Sequence, residues 1–312
     1  MKMNSKFNPI WEEVKACPLC EGQKSVEFDQ RTEHGLVITN KMCLHCGLVY
    51  QSPHMDSDSL KKYYHEIYEK QHQGVQGVSI KEVEIQRRRA DFLLAMLAEH
   101  GTSFSHHLDI GSSTGILMEE VRERFNSQPV GVELADTYRE YAQNRSLEVY
   151  PTLGDLPRTY EKRFDLITMS HVLEHLIRPQ EKLNTLRKRW LSDDGLLLVE
   201  VPNLFFHATF EIPHLTHYHA STLTAMLEHS GYQIAQLVTH GAPRSRRFPL
   251  NLLAIAKPVG GSSKKTAARP SPRLIRSKRR MGRFVYLTVA NALKLLRLGK
   301  PSELELIDRA RK

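Results

Sequence analysis

The stretch that decides the fold is HLDIGSSTG at residues 107–115, which is followed by VGVE at residues 130–133. This order is typical of a strand, a glycine turn, a helix, and a second strand that ends in an acid. Gly111 and Gly115 would let the backbone come close to a ligand at the amino end of the helix, and Glu133 would face ribose hydroxyls. The pattern therefore predicts an α/β domain that binds a nucleoside.

Two adenosine-containing cofactors, NAD and S-adenosylmethionine, share this pattern of strands and loop. A dinucleotide site has three glycines spaced as G-x-G-x-x-G, so that the pyrophosphate can settle on the helix. Here Ser113 occupies the middle position, and the next glycine is Gly115. Because the loop shows no pyrophosphate cradle, motifs elsewhere in the chain must decide between the two cofactors.

Two motifs later in the chain distinguish S-adenosylmethionine from NAD as the cofactor. The sequences FDLITMSHVLEHL at 164–176 and DGLLLVEVPN at 194–203 resemble the fourth and fifth strand regions of class I S-adenosylmethionine-dependent methyltransferases. The Leu-Glu-His triplet is similar to that of the small-molecule branch related to ubiquinone-biosynthesis O-methyltransferases. The resemblance covers residues 80–257 and implies a Rossmann-like α/β fold with a seven-stranded sheet and S-adenosylmethionine as cofactor.

The same resemblance implies six cofactor-binding residues, which are Asp109, Gly111, Gly115, Glu133, Asp155 and Ser170. Asp109 would lie near the methionine amino group, and Glu133 would bind the ribose hydroxyls. The two glycines would form the backbone floor of the site. Asp155 would face the adenine amine, and Ser170 would approach the methionine part through its backbone.

Three polar residues after the fourth strand, His171, Glu174 and His175, stand at the sheet edge where ligands of open α/β folds collect. Methyl transfer from a sulfonium is an in-line displacement, so the enzyme mainly aligns the acceptor and removes its proton. His175 is the preferred general base, because its ordinary pKa of about 6.5 lets it accept a proton near neutral pH. Glu174 would orient it. The alternative is that this Glu-His pair only ties the helix to the sheet.

In the ubiquinone-type enzymes, an acid three residues before the glutamate, that glutamate and the next histidine together bind a divalent ion that activates a catechol. This chain has His171 where the first acid would be. Two histidines and a carboxylate can still hold a transition metal, but the departure argues against magnesium-assisted catechol chemistry. The predicted metal ligands therefore do not include these three residues.

A second histidine cluster, HLTHYH at 214–219, precedes a predicted helix at 221–230. Before that helix, the resembling family commonly has a histidine beside an aromatic residue in the acceptor pocket, and His217 with Tyr218 fits this arrangement. His217 is therefore a secondary catalytic candidate. Three clustered histidines could also bind a metal, although lining of the pocket or exposure to solvent fits a loop better.

Four cysteines, Cys17, Cys20, Cys43 and Cys46, form two C-x-x-C pairs near the amino end. In a chain without a secretion signal, they indicate metal-bound thiolates rather than disulfides. Their spacing predicts a small zinc ribbon, and four sulfur ligands leave no place for water on the ion, so the zinc would be structural. His45, which lies inside the second pair, could be a substitute ligand, but four cysteines suffice and a solvated loop residue is the preferred interpretation.

After the second cysteine pair come GLVYQSP at 47–53 and then Leu60, Tyr63, Tyr64 and Tyr68. This segment resembles the ribbon-to-helix segment that precedes many sugar and lipopolysaccharide-cluster methyltransferases. This resemblance implies that the segment lies over the cofactor cleft and helps to wall the substrate site. From the residues alone, Tyr63, Tyr64 and Tyr68 fit burial in the core as well as contact with a ligand.

Charge is concentrated at the carboxyl end of the chain. Residues 257–312 hold 16 Lys or Arg and three Asp or Glu, whereas the whole chain carries a net charge of +9. The excess of positive charge therefore belongs to a tail, which argues against a nucleic-acid partner for the catalytic domain. A basic stretch at 273–283 beside an apolar helical stretch at 284–297 predicts peripheral contact with a membrane surface. A helix docked on the catalytic domain and contact with nucleic acid are the alternatives.

The sequence predicts four parts of the chain. A zinc-ribbon module with a connecting helix (1–70) and a linker (71–79) precede the S-adenosylmethionine-binding domain (80–257), and a basic, partly disordered tail with a short amphipathic helix (258–312) follows. Met1–Ile10 carries no signal sequence, and no apolar run reaches the roughly 20 residues of a spanning helix. We therefore expect a cytoplasmic protein with peripheral contact at the inner membrane face.

Three functions are compatible with these observations. The leading hypothesis is methyl transfer from S-adenosylmethionine to a small polar acceptor, namely a sugar, a nucleotide sugar or a lipid-linked glycan intermediate. The second is an RNA or protein methyltransferase that uses the ribbon and tail for recognition, although no Asn-Pro-Pro-Tyr or Asp-Pro-Pro-Tyr signature follows the fourth strand. The third is a non-catalytic binding scaffold.

Overall fold

The computed structural model describes residues 7–64, 78–207, 210–259 and 271–295. The strands in these ranges are β1 (Trp11–Glu12), β2 (Ser25–Glu33), β3 (Leu36–Cys43), β4 (Val49–Gln51), β5 (His54–Met55), β6 (His106–Ile110), β7 (Gln128–Val132), β8 (Glu148–Tyr150), β9 (Phe164–Ser170), β10 (Leu191–Pro202), β11 (Thr216–His217), β12 (Tyr232–His240) and β13 (Asn251–Pro258). The α-helices are α1 (Ser57–Tyr63), α2 (Ile80–Leu97), α3 (Ile116–Phe125), α4 (Asp136–Gln143), α5 (Pro179–Thr185), α6 (Ala220–His229) and α7 (Pro272–Leu295). Short 3₁₀ turns form at Arg158–Tyr160 and Leu173–His175, and a π-helical turn forms at Leu186–Trp190.

The centre of the molecule is a seven-stranded sheet with the order β12-β13-β10-β9-β6-β7-β8. Strands β6 to β10 pair in parallel within it, whereas β13 runs antiparallel to both β10 and β12. The chain leaves β6 toward β7 on one side and later returns to β9 on the other side. Ligands of open α/β sheets bind at such a switch point, outside the carboxyl ends of the strands. The predicted Rossmann-like fold with seven strands is confirmed.

Helices cover both faces of this sheet, which is why most residues of its central strands β6, β9 and β10 are buried. On one face, Leu93 of α2 and Phe125 of α3 pack against Leu166 of β9. On the opposite face, Met226 of α6 and the buried Trp190 pack against the same sheet. The two apolar layers hold the strand ends in a fixed relation to one another, and this rigidity positions the loops that form the site.

The cysteine-containing module is joined to the catalytic domain by a shared sheet. Its strands form a four-stranded sheet with the order β11-β4-β3-β2, in which β11 comes from the catalytic part of the chain. Thr216 pairs with Tyr50 and His217 pairs with Val49 in antiparallel register. The module and the domain also share one hydrophobic core. The module is therefore an integral part of the fold.

The carboxyl-terminal helix is longer than the sequence predicts. Residues 284–295 of the expected apolar helix at 284–297 form the second half of α7, which begins at Pro272, so the basic stretch is helical as well. Ile275, Arg279 and Tyr286 are buried, and the Tyr286 ring lies 4.9 Å from that of Phe248. These buried positions recur on one helical face and dock the helix on the domain.

Several sequence predictions fall on parts of the chain outside the described residues. They are Tyr68, most of the linker at 71–79, and most of the disordered region predicted between 258 and 272. Within the described ranges, no helix has the combination of length and apolar character needed to cross a bilayer.

Candidate active site

The glycine loop follows β6 and starts α3. Gly111 and Gly115 both have a left-handed backbone, with φ of 71° and 78°. A Cβ atom at Gly111 would lie 2.4 Å from Cγ2 of Val172, and one at Gly115 would lie 2.3 Å from Cδ1 of Leu147. Both positions therefore require glycine for the shape of the loop and for packing against the protein's own side chains, in addition to any ligand.

Glu133 stands directly after β7, and two amides hold its carboxylate beside the glycine loop. Its Oε2 accepts a hydrogen bond from the backbone N–H of Ser113 at 2.8 Å, and its Oε1 accepts one from that of Ala135 at 2.8 Å. A carboxylate fixed in this way at a strand tip is suited to accept hydrogen bonds from the two hydroxyls of a ribose. Binding of the ribose by Glu133 stays a prediction.

Asp109 lies on β6, below the loop, and is buried. Its Oδ1 accepts a hydrogen bond from the Thr168 hydroxyl at 2.6 Å, and that hydroxyl also lies 2.7 Å from Nε2 of His107. Burial raises the pKa of Asp109 to about 7, and the hydrogen bond from Thr168 only partly offsets this. An ammonium group brought beside this carboxyl would favour its ionised form.

The two remaining cofactor candidates also lie at this side of the sheet. Asp155 follows β8 in an exposed turn, where Oδ2 accepts hydrogen bonds from the N–H and the hydroxyl of Thr152. Ser170 ends β9, and its hydroxyl donates to the buried carboxylate of Glu200. The fold thus gathers all six predicted cofactor residues around the carboxyl ends of β6 to β9, and their contacts with a cofactor stay predictions.

His175 lies in the turn after β9, with both of its ring nitrogens near polar groups. Its Nδ1 is 2.7 Å from the Tyr64 hydroxyl and 3.1 Å from the carbonyl oxygen of Pro213. A carbonyl oxygen only accepts, so this second contact is a hydrogen bond when Nδ1 carries the proton. The other nitrogen, Nε2, then carries the lone pair, and it lies 3.9 Å from Oε1 of Glu174.

Glu174 is fully buried beside three histidines. Within the described ranges, neither of its carboxylate oxygens has a hydrogen-bond partner, and Oε1 lies 3.3 Å from Nδ1 of His171. Burial raises the pKa of Glu174 well above its ordinary value and lowers that of His171 well below its own. The ring of His214 completes the group, 4.7 Å from that of His175. Donor atoms of Glu174, His175 and His214 all lie within 4.8 Å of one another, a set of ligands compatible with a transition-metal ion.

A family model described as a methyltransferase domain matches residues 82–237, which is half of the chain. The chain belongs to this methyltransferase family. The match contains the glycine loop, Glu133 and the turn that carries His175. The protein is therefore a class I S-adenosylmethionine-dependent methyltransferase.

Solved structures similar to this methyltransferase come from several organisms. An S-adenosylmethionine-dependent methyltransferase from Clostridium acetobutylicum shares 16% identity over 62% of this chain and 97% of its own, with a TM-score of 0.46. One from Aquifex aeolicus shares 15% identity over 58% of this chain and 100% of its own, with a TM-score of 0.46. One from Archaeoglobus fulgidus shares 18% identity over 57% and 100%, with a TM-score of 0.44. No curated protein matches the sequence significantly.

His217, the secondary candidate of this methyltransferase, lies where the cysteine module meets the catalytic domain. Its Nε2 is 3.0 Å from Oδ1 of Asn40, and its ring centroid lies 4.2 Å from that of Phe210. Burial lowers its pKa well below the ordinary value. His214 stands between it and His175, with ring centroids 6.3 Å apart for His214 and His217. The contact with Asn40 links His217 to the cysteine-containing module. A direct catalytic role of His217 stays a prediction.

The four cysteines of the methyltransferase converge at the base of its β2–β3 hairpin. Sγ of Cys17 lies 3.5 Å from that of Cys46, and Sγ of Cys20 lies 3.6 Å from that of Cys43. The two pairs form equivalent turns, in which the carbonyls of Cys17 and Cys43 accept from the N–H four residues later at 2.9 and 3.0 Å. Four thiolates around a zinc at about 2.3 Å would be about 3.8 Å apart. The sulfur positions fit one tetrahedral ion.

Sequence reasoning missed several polar residues behind the methyltransferase site. Glu200 on β10 is fully buried and is approached by Arg89 of α2 at 3.7 Å and by His240 of β12 at 3.4 Å. Glu200 lies inside the quoted fifth-strand motif, and an acid in an otherwise apolar strand was the signal that could have identified it. Arg89 and His240 come from distant segments, and no local spacing indicated them.

Proposed function

We propose that this methyltransferase transfers the methyl group of S-adenosylmethionine to a small polar acceptor, with His175 as the general base. The acceptor class is a sugar, a nucleotide sugar or a lipid-linked glycan intermediate. For a hydroxyl acceptor, the oxygen attacks the methyl carbon, the carbon–sulfur bond breaks, and S-adenosylhomocysteine leaves. The proton of the hydroxyl passes to the base as the new bond forms.

The observation that carries this proposal is the position of the two His175 nitrogens. The carbonyl of Pro213 favours the proton on Nδ1, so Nε2 is the nitrogen that can accept a proton from a substrate. The Tyr64 hydroxyl, 2.7 Å from Nδ1, helps to hold the ring. Glu174 then stabilises the positive charge of the imidazolium, since the transferred proton comes to lie on the nitrogen that faces its carboxylate.

The surroundings of His175 support a small and hydrophilic acceptor. The histidines and carboxyls at this point offer many hydrogen bonds in a small space, which suits a molecule with several hydroxyls. Tyr64 contacts this group from the end of α1, so the amino-terminal part of the chain borders the acceptor side. A polar site bordered by two parts of the chain favours a small acceptor over a folded RNA or protein.

We also propose that Cys17, Cys20, Cys43 and Cys46 bind one structural zinc ion, which makes the amino-terminal module a zinc ribbon. Support comes from the short distances between their sulfurs and from backbone N–H groups directed at them, such as that of His45 at 3.4 Å from Sγ of Cys43. Such N–H groups stabilise thiolates in metal knuckles. The resemblance of the segment after the second cysteine pair to the ribbon-to-helix segment of sugar methyltransferases also supports this proposal.

The test of the methyl-transfer proposal uses labelled S-adenosylmethionine, the purified protein and fractions of a cell lysate. We expect label in a small glycan or sugar nucleotide fraction. His175→Gln should lower the rate of transfer by a factor of roughly 10²–10⁴, because it removes the proton acceptor but keeps an amide in place of the ring. The affinity for the methyl donor should stay within about threefold of wild type, since donor contacts are elsewhere.

A matched control is His100→Gln, which changes a half-buried histidine that contacts Gln236 outside this site. It should leave the rate unchanged. Label confined to RNA or to protein would reject the acceptor class, and an unimpaired His175→Gln enzyme would reject the assignment of the base. Failure of the wild-type protein to bind the donor would support the scaffold alternative instead.

A further inference from the structure

The solvent side of α7 carries an unusual set of apolar residues. Of the nine large apolar side chains that are exposed in the described part of the chain, four lie on this helix. They are Leu274, Met281, Phe284 and Val285, with 50%, 63%, 70% and 42% of their surface exposed. Their spacing places them on one side of the helix, which we call the outer face.

The opposite side of α7 is firmly docked, so the outer face points away from the domain. Ile275 and Tyr286 are buried, and the Arg279 guanidinium donates to the carbonyls of Leu204 and His207. The same guanidinium lies 4.7 Å from the centroid of the Phe210 ring. Because the helix already has a buried side, its exposed apolar residues are not explained by docking on the domain.

The charge of the helix indicates what the outer face meets. α7 contains seven Lys or Arg and no Asp or Glu. Lys278 on one flank of the outer face, and Arg273 and Arg280 on the other, are exposed. An apolar strip flanked by cations is the pattern of a helix that lies in the interface of an anionic bilayer.

Positive charge also extends to the side of the helix next to the ribbon. A cavity of about 520 Å³ between α7 and β2 is lined by Arg276, Arg280 and Arg283, as well as the docked Arg279. Glu27 and Asp29 are the acids in its lining, so the cations outnumber the acids there. This excess of positive charge strengthens the attraction between α7 and anionic lipid headgroups.

We propose that the outer face of α7 is a binding surface for an anionic phospholipid membrane. The helix lies parallel to the bilayer, with its four apolar side chains in the headgroup region and its flanking cations among the phosphates. A second copy of the chain is a poorer occupant, because two such faces would bring like charges together. A nucleic acid would pair with the cations but leave Met281 and Phe284 unexplained. The proposal is independent of the acceptor of methyl transfer.

The test is co-sedimentation of the full-length protein with vesicles, in the absence of methyl donor and acceptor. We expect binding to vesicles that contain phosphatidylglycerol and much weaker binding to phosphatidylcholine alone. The variant Met281→Gln/Phe284→Gln/Val285→Gln should bind the anionic vesicles roughly tenfold or more weakly, because it removes apolar groups that enter the interface. Arg273→Gln/Lys278→Gln/Arg280→Gln should lower the binding by roughly fivefold per cation at low salt.

The matched control changes three apolar residues exposed elsewhere, in Ile10→Gln/Val37→Gln/Ile80→Gln, and should bind like wild type. All substituted side chains are exposed, and circular dichroism should show the same fold for each protein. Equal binding by wild type and the Met281 variant would overturn the proposal. Two further outcomes would overturn it. In the first, wild type does not bind anionic vesicles and self-associates in sedimentation velocity, whereas the Met281 variant does not self-associate. In the second, wild type binds RNA but no vesicles.

Discussion

At the scale of single residues, the two buried carboxyls of the site lie in environments that suit different tasks. Asp109 has one hydrogen bond and a pKa raised to about 7, whereas burial raises the pKa of Glu174 well above its ordinary value. Asp109 can therefore change its charge near neutral pH when a cation arrives. A positive charge beside Glu174, such as that of a protonated His175, would favour its carboxylate form.

The pKa of Asp109 leads to a pH dependence of donor binding. Because the donor's ammonium favours the carboxylate, we expect the affinity for S-adenosylmethionine to rise roughly tenfold between about pH 5.5 and about pH 7, with release of a proton. Calorimetry in two buffers of different ionisation enthalpy would measure both quantities. The matched Asp109→Asn protein should bind more weakly and without this dependence. A wild-type affinity that is the same across this range would contradict the assignment.

The same shift acts on stability in the opposite direction. The folded protein holds the Asp109 proton more tightly than the unfolded chain, whose aspartate has a pKa of about 3.9. Its contribution is therefore fully present below about pH 4 and is lost as the pH rises through the folded value of about 7. Donor binding offsets this loss, since an ammonium beside the carboxylate replaces the proton.

At the scale of elements, the start of α3 depends on Gly115. The residue is the N-cap of the helix, has a left-handed backbone and leaves no room for a Cβ beside Leu147. The loop geometry that directs the Ser113 amide to Glu133 depends on this turn. One residue thus links the helix start to the carboxylate expected to bind ribose.

Gly115→Ala should therefore lower both the free energy of unfolding and donor affinity. We expect a loss of about 2–4 kcal/mol in the free energy of unfolding, from the unfavourable φ together with the steric overlap. Gly35→Ala is the matched control, since Gly35 also has a positive φ of 87° but has no atom within 4 Å of an added Cβ. It should cost only about 1–2 kcal/mol and leave donor affinity unchanged. Chemical denaturation and calorimetry measure the two quantities, and equal losses in both variants would be inconsistent with the packing argument.

At the scale of the whole molecule, the cysteine-containing module, which we propose to be a zinc ribbon, and the catalytic domain depend on each other. The Leu19 carbonyl accepts a hydrogen bond from Gln180 of α5 at 2.9 Å, and β11 of the catalytic part completes the sheet of the module. His217 on β11 contacts Asn40 on β3, and Tyr64 after α1 contacts His175. Disorder in the ribbon would therefore reach the acceptor side of the site first. The donor side, built on β6 and β7, lies further from these contacts.

Removal of zinc should accordingly affect methyl transfer much more than donor binding. We expect one zinc per chain, and we expect Cys43→Ser or strong chelation to abolish methyl transfer while donor affinity falls by no more than about fivefold. His45→Ala should keep the zinc and the activity, because four thiolates close the coordination shell. Metal analysis, calorimetry and the transfer assay provide the readouts. Donor binding lost in parallel with transfer would show that the ribbon supports the cofactor site as well.

The sequence by itself determined the elements whose signals are local. The glycine loop, the acid at the tip of the second strand, the paired cysteines and the apolar strands each show their pattern within a few residues, because backbone geometry sets these spacings. The seven-stranded sheet was implied by the resemblance to a known family that the order of these signals carries. The exact roles of the candidate residues stay predictions, since they concern ligands rather than the fold.

Only the tertiary structure decided which distant residues meet. Tyr64 reaches His175 across 111 positions of the chain, and Asn40 reaches His217 across 177. The pairing of β11 with β4, the approach of His214 to His175, and the docked side of α7 arise in the same way. Such contacts depend on how the packed layers are arranged in space, and no local periodicity records that arrangement.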